Sequence, residues 1–238
     1  MKMLRRVIVA LALAVSAAGC GASEADQRVL FVGNSYTHGN ELPAMVEAIA
    51  AANDTSIRWT MIAPGGARLR DHRANPDVVA AIQSGEYDVV VFQEQSQIPS
   101  SPELRANEML PAALALDAIA DQAGVSVVWF QTWGHRDGWP VRGHDSYQSM
   151  QDAVIAGYAE VGRQTNGRVA GAGARWSRYL AFGGEISLHH ADGTHATPAG
   201  SYLAALALAD ALLVGTPLLV APPVDGVSAE VASELFMS

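Results

Sequence analysis

The sequence predicts an α/β sandwich of three layers, with helices on both faces of a central sheet of five parallel strands. Three observations predict it. Short runs rich in Val, Ile and Phe alternate along the chain with longer Ala-rich helical stretches, the order that builds parallel strands joined by crossover helices. Runs such as Asp-Val-Val-Val-Phe at 88–92 are apolar on both faces, as strands covered from both sides must be. The size also fits: 238 residues, 50% apolar and 16% charged, fill one domain with a full core.

The first strand is read at 28–34, where Val-Leu-Phe-Val runs into a Gly-Asn-Ser turn and then a helix at 42–52. Further strands are read at 56–63, 88–93, 125–131 and 168–172, and further helices at 75–84, 102–123 and 146–164. A last helix at 198–213 has Thr197 as its N-cap, with Pro198 at the first helical position, where its missing N–H costs nothing. The segment 217–238 holds Pro222 and Pro223 and reads as a surface extension. No internal repeat, low-complexity segment or second domain stands out.

The N-terminus has its own pattern. Lys2, Arg5 and Arg6 precede nine apolar residues, Val7 to Val15, too short to span a bilayer and suited to a secretory leader. Small residues then lead to Cys20 in Ser-Ala-Ala-Gly-Cys, which resembles the lipobox of bacterial lipoproteins. Ala17 stands where that motif prefers Leu. The resemblance implies export and lipid attachment at Cys20; ordinary cleavage near Ala17 or Ala22 and release is the alternative. Cys20 is the single cysteine, so the rest of the chain has no internal disulfide and no Cys nucleophile.

Lys2 is likewise the only lysine, which excludes a Schiff-base or P-loop lysine from the domain. After the leader, 12 arginines face 24 acidic residues, a difference of −12. Such a surface repels nucleic acid and anionic headgroups and favours neutral or cationic small-molecule substrates.

Ligands of open α/β sheets bind beyond the carboxyl ends of the strands, and those loops carry the ingredients of acyl transfer. Ser35 ends the first. His195 lies before the last helix, with Asp192 three residues earlier in Asp-Gly-Thr-His. A serine hydroxyl needs a base, and a neutral imidazole needs an acceptor on its other nitrogen. Asp192 is in reach of His195 Nδ1 while Nε2 points to Ser35. Oxyanion donors are available from the Ser35 N–H, from Gly66 in Pro-Gly-Gly-Ala, and from the Gln95 side chain in Gln-Glu-Gln-Ser.

In this order, Ser loop, Gly loop, amide loop and Asp-x-x-His, the chain resembles the SGNH (GDSL-type) hydrolase superfamily from Val29 to about Leu213. The resemblance implies a flavodoxin-like fold and a serine esterase without metal or organic cofactor. It assigns Ser35 as nucleophile, His195 as base and Asp192 as its partner, with Ser35, Gly66 and Gln95 forming the oxyanion hole. Two positions depart from the family pattern. Gln93-Glu94-Gln95-Ser96 replaces Gly-x-Asn-Asp, and Asn34 replaces Asp; both recur in a less studied branch with GNSYT and QEQS blocks. The expected organisation is a leader at 1–19, a linker at 20–27, the hydrolase domain at 28–216 and the extension at 217–238. Export and the aromatic loop suggest short acyl groups on surface glycans as substrate.

Other readings stand beside these. Asn34 and Ser35 are both good N-caps. Asp192 and His195 suit a surface pair before a helix. Gly65 and Gly66 suit a tight turn, and Gln95 suits bracing its own loop. His189 and His190 with Asp192 and His195 suit zinc in a metal-dependent hydrolase. Trp129, Trp133, Trp139 and Tyr147 read as packing or as a sugar-stacking platform, and His135, Arg136 and Asp137 as acyl-pocket lining or loop caps. A rival of another class is a non-catalytic, glycan-binding surface lipoprotein on the same fold.

Overall fold

The computed structural model describes residues 27–238; the leader and Cys20 lie outside the described residues. Five strands, β1 (Gln27–Val32), β2 (Ile57–Ile62), β3 (Val89–Phe92), β4 (Ser126–Gln131) and β5 (Arg168–Gly171), form one sheet in the order β2-β1-β3-β4-β5. Every neighbouring pair is parallel. The predicted fold class is thus the observed one. The helices are α1 (Ser35–His38), α2 (Leu42–Ala52), α3 (Leu69–Ala74), α4 (Pro76–Gln83), α5 (Pro102–Leu104), α6 (Leu110–Ala123), α7 (Tyr147–Gln164), α8 (Ala172–Ala181), α9 (Pro198–Leu212) and α10 (Ala229–Met237).

Burial on both faces of the sheet explains the continuous apolar strands. Along β1, Val29 and Phe31 join the core beneath α2, α8 and α9, while Leu30 and Val32 join the core beneath α4, α6 and α7. β3 and β4 alternate in the same way: Val91 and Phe130 face one layer, Phe92 and Trp129 the other. The chain leaves β1 in one direction to β2 and in the other to β3, so the strand order reverses between β1 and β3. Crevices at such a reversal are where open sheets bind ligands.

Besides the four-residue α1 in the turn after β1, three helices have no counterpart in the sequence reading. α3 is six residues long, too short for a periodic signal. α8 starts directly from β5 on Gly171 without a side-chain cap. α10 lies in the expected surface extension, yet Ala232 and Leu235 are buried in the main core. The segment leading to it is tied down by Asn53, whose Oδ1 accepts from Leu219 N at 2.6 Å and Val220 N at 3.0 Å. The single helix expected at 102–123 carries a wide turn at Arg105–Met109. Pro111 has no N–H to donate to the preceding turn, which loosens the helix there.

Candidate active site

The loops at the carboxyl ends of β1, β2 and β3 converge with the turn before α9. β1 stops at Val32, and Gly33 carries the chain past its neighbours so closely that a Cβ would collide with the Thr37 hydroxyl and Gln93 Oε1. Asn34 is the N-cap of α1: its Oδ1 accepts from Tyr36 N at 3.0 Å. The capping role therefore falls to Asn34, which leaves the Ser35 hydroxyl free for other partners.

That hydroxyl lies 3.0 Å from His195 Nε2. His195 Nδ1 lies 2.6 Å from Asp192 Oδ2. The other oxygen of Asp192 accepts from Thr194 N at 2.9 Å and His195 N at 3.0 Å. These backbone bonds, followed by the imidazole contact, hold the Asp192 carboxyl well below the usual carboxylate range. A carboxylate so placed fixes the imidazole with Nδ1 protonated and Nε2 free to accept from serine.

The predicted oxyanion donors line the same cleft, about 350 Å³ in volume, as Ser35 and His195. Gly66 sits at φ +72°, a conformation that favours glycine, with open space around its Cα. Gln95 is half-buried; its Oε1 accepts from Gln97 N at 2.9 Å, and its amide nitrogen donates to the neighbouring Ser96 hydroxyl at 3.4 Å, at the edge of the cleft. Ser96 Oγ meets His135 Nε2 at 3.0 Å on the opposite wall. Burial lowers the His135 pKa, so that ring is neutral near pH 7.

A smaller pocket of about 130 Å³ opens on the other side of Ser35, lined by Tyr36, Asn40, Trp133 and Ser201 among others. Tyr36 and Trp133 stack with ring centres 4.6 Å apart, and Trp133 stacks on Trp176 at 4.4 Å. The Trp133 indole donates to Thr194 O at 2.9 Å, next to His195. Trp129 and Trp133 are both buried, so neither is free to stack on a sugar. His189 Nε2 is engaged by Gly134 O at 2.9 Å. Among the described residues, no three His, Cys, Asp or Glu side chains gather as a metal site.

Sequence reasoning missed the braces between the loops. Gln93 Oε1 accepts from Asn34 N and Thr37 Oγ1, each at 2.9 Å. Asn34 Nδ2 donates to Ala67 O at 2.9 Å. The buried His72 places Nε2 2.8 Å from Gly33 O, and Asn40 Nδ2 donates to Ala196 O at 2.8 Å. The only signal in the sequence was the pair of departures from the family pattern, at 34 and at 93–96.

Neither a protein-family model nor a curated protein matches the chain. Among solved structures, it is similar to a candidate SGNH hydrolase from Slackia heliotrinireducens, with 30% identity and TM-score 0.66, covering 79% of this chain and 100% of that one. A DUF4886 family protein from Bacteroides uniformis matches with 14% identity and TM-score 0.72 over 90% of this chain and 93% of its own. An acetylxylan esterase from Geobacillus stearothermophilus matches with 16% identity and TM-score 0.61, over 82% and 97% respectively. The last two likenesses bear on the fold alone.

Proposed function

Since the chain belongs to the SGNH hydrolase superfamily, we propose that it is a serine esterase that cleaves carboxylic esters through an acyl-enzyme on Ser35. The observation that carries this reading is the unbroken hydrogen-bonded path from Asp192 through both nitrogens of His195 to Ser35, with steps of 2.6 and 3.0 Å. Ser35 Oγ attacks the ester carbonyl as His195 Nε2 takes its proton. Asp192 holds the imidazole in the required tautomer and stabilises its charged form. The oxyanion is received by the Ser35 N–H, the Gly66 N–H and the Gln95 amide. His195 then returns the proton to the departing alcohol, and water activated by the same imidazole releases the acid. No metal or organic cofactor enters these steps.

Short acyl groups on glycans are the proposed substrate. The pocket of about 130 Å³ beside Ser35 suits a short acyl chain, and the wider polar cleft suits an alcohol rich in hydroxyls. The fold shared with an acetylxylan esterase is in keeping with this. Export and anchoring through Cys20 are proposed on the leader pattern alone; radiolabelled palmitate should enter the wild-type protein and not a Cys20→Ser variant. The test of the activity is hydrolysis of p-nitrophenyl acetate by wild-type protein and Ser35→Ala. The esterase loses essentially all turnover in the variant. Equal rates would leave the glycan-binding lipoprotein as the better reading.

A further inference from the structure

The departure at 93–96 sends successive side chains to different loops. Gln93 reaches the loop after β1, Gln95 lines the cleft, and Ser96 reaches the loop after β4. Glu94 turns inward and is 1% exposed. Its Oε1 accepts two backbone N–H groups at once, Leu69 N at 3.1 Å and Gln95 N at 2.7 Å. Leu69 opens α3, three residues after Gly66.

Two proposed oxyanion donors therefore stand on loops that the sheet does not join. Gly66 follows β2 and Gln95 follows β3, and β1 lies between those strands. Strand ends two places apart are separated by roughly 9–10 Å, and ladder hydrogen bonds join these two only through β1. Oxyanion donors must converge to within about 2.7–3.1 Å of one oxygen. We infer that Glu94 is a positioning residue for the oxyanion hole, one carboxyl oxygen fastening the Gly66 loop to the Gln95 loop. The inference rests on the reading of Ser35 as nucleophile.

What the clamp needs is an acceptor of the right reach. Both N–H groups would be costly to bury without a partner. Burial raises the Glu94 carboxyl to about 7, opposed by its bonds from Gln95 and Leu69. Its second oxygen is buried without a hydrogen-bond partner among the described residues. The oxygen that accepts the two N–H groups does so whether or not the other carries a proton. An amide oxygen at the same place does the same work, and a carboxylate one methylene shorter does not.

Glu94→Gln and Glu94→Asp separate reach from charge. Turnover of p-nitrophenyl acetate is expressed per serine labelled by a fluorophosphonate, so that unfolded molecules do not count. We expect Glu94→Gln to keep kcat within about threefold of wild type. Glu94→Asp is expected to lose at least about tenfold in kcat, with KM moving less than threefold, as the loss of well-placed oxyanion donors requires. Glu94→Asp near wild type, or Glu94→Gln falling as far as Glu94→Asp, overturns the inference. Wild-type protein that neither turns over the ester nor takes label at Ser35 overturns the reading of the site instead.

Discussion

The two sides of the cleft differ in how far their bracing is buried. The side bearing Ser35, Gly66 and Gln95 is fastened by buried polar side chains, Asn34, Gln93 and Glu94, that cross from loop to loop. The side bearing Asp192 and His195 is a surface turn closed by its own backbone, through His190 N to His195 O at 2.8 Å and Gly193 N to His190 O at 3.0 Å, and its neighbours tie it at main-chain carbonyls, through Arg136 N, the Trp133 indole and Asn40. Both side chains of that pair are nearly half exposed. The comparison separates two demands of the proposed acyl transfer. Donors that stabilise a developing charge must be fixed before the charge appears. An acid–base pair is fixed well enough by a short turn and one strong charge-assisted hydrogen bond.

Four changes probe that contrast. The largest effect is expected for Asp192→Asn, which puts an N–H₂ or a weaker acceptor against Nδ1. The loss in kcat should be about 10³-fold, less than the roughly 10⁴-fold known where such an acceptor is buried. A loss under tenfold would mean that the exposed carboxylate is dispensable. Gln95→Ala removes one side-chain donor from the fastened side, and kcat should fall by roughly 10²-fold; an unchanged kcat would strike Gln95 from the oxyanion hole.

The third change is read as stability against pH. Glu94 is raised from 4.5 to about 7 in the folded protein, with Arg68 lowering it, Glu108 raising it and the Tyr158 hydroxyl accepting its backbone N–H. Between those two values the folded state holds a proton that the unfolded state has lost. Stability therefore falls as pH rises through this window, by about 3 kcal/mol. Urea unfolding at pH 4 and pH 8 should reveal this slope in wild type and a flatter one in Glu94→Gln; identical slopes would contradict it. The smallest effect is expected for Trp133→Phe, which keeps the aromatic stack and leaves Thr194 O without its donor. Thermal unfolding should register a loss of about 1–2 kcal/mol, with kcat changed less than tenfold.

What the sequence made legible follows the same division. Asp192 and His195 are three residues apart on one turn, and Ser35 ends a strand apolar on both faces, so local spacing was enough to bring each to notice. The five strands were legible for a similar reason: Leu30 and Phe31 must both be buried, and only a covered parallel sheet buries both. The braces were not legible. Gln93 meets Asn34 across 59 positions, and Glu94 meets Leu69 across 25; such pairs leave no local periodicity, and a glutamate after a strand reads as solvent-facing. Trp133 reads as packing, with a sugar platform as the alternative, until its indole is seen donating to Thr194 O. The helix α8 stayed hidden because its N-cap is Gly171, which has no side chain to signal a start; β5 turns straight into it.

The most direct test of the account is covalent. A fluorophosphonate should modify wild-type protein at one site, located by peptide mass spectrometry at Ser35, and His195→Ala should abolish the labelling. Label on another residue, or labelling at Ser35 that persists at the wild-type rate in His195→Ala, would contradict the proposed nucleophile and its base.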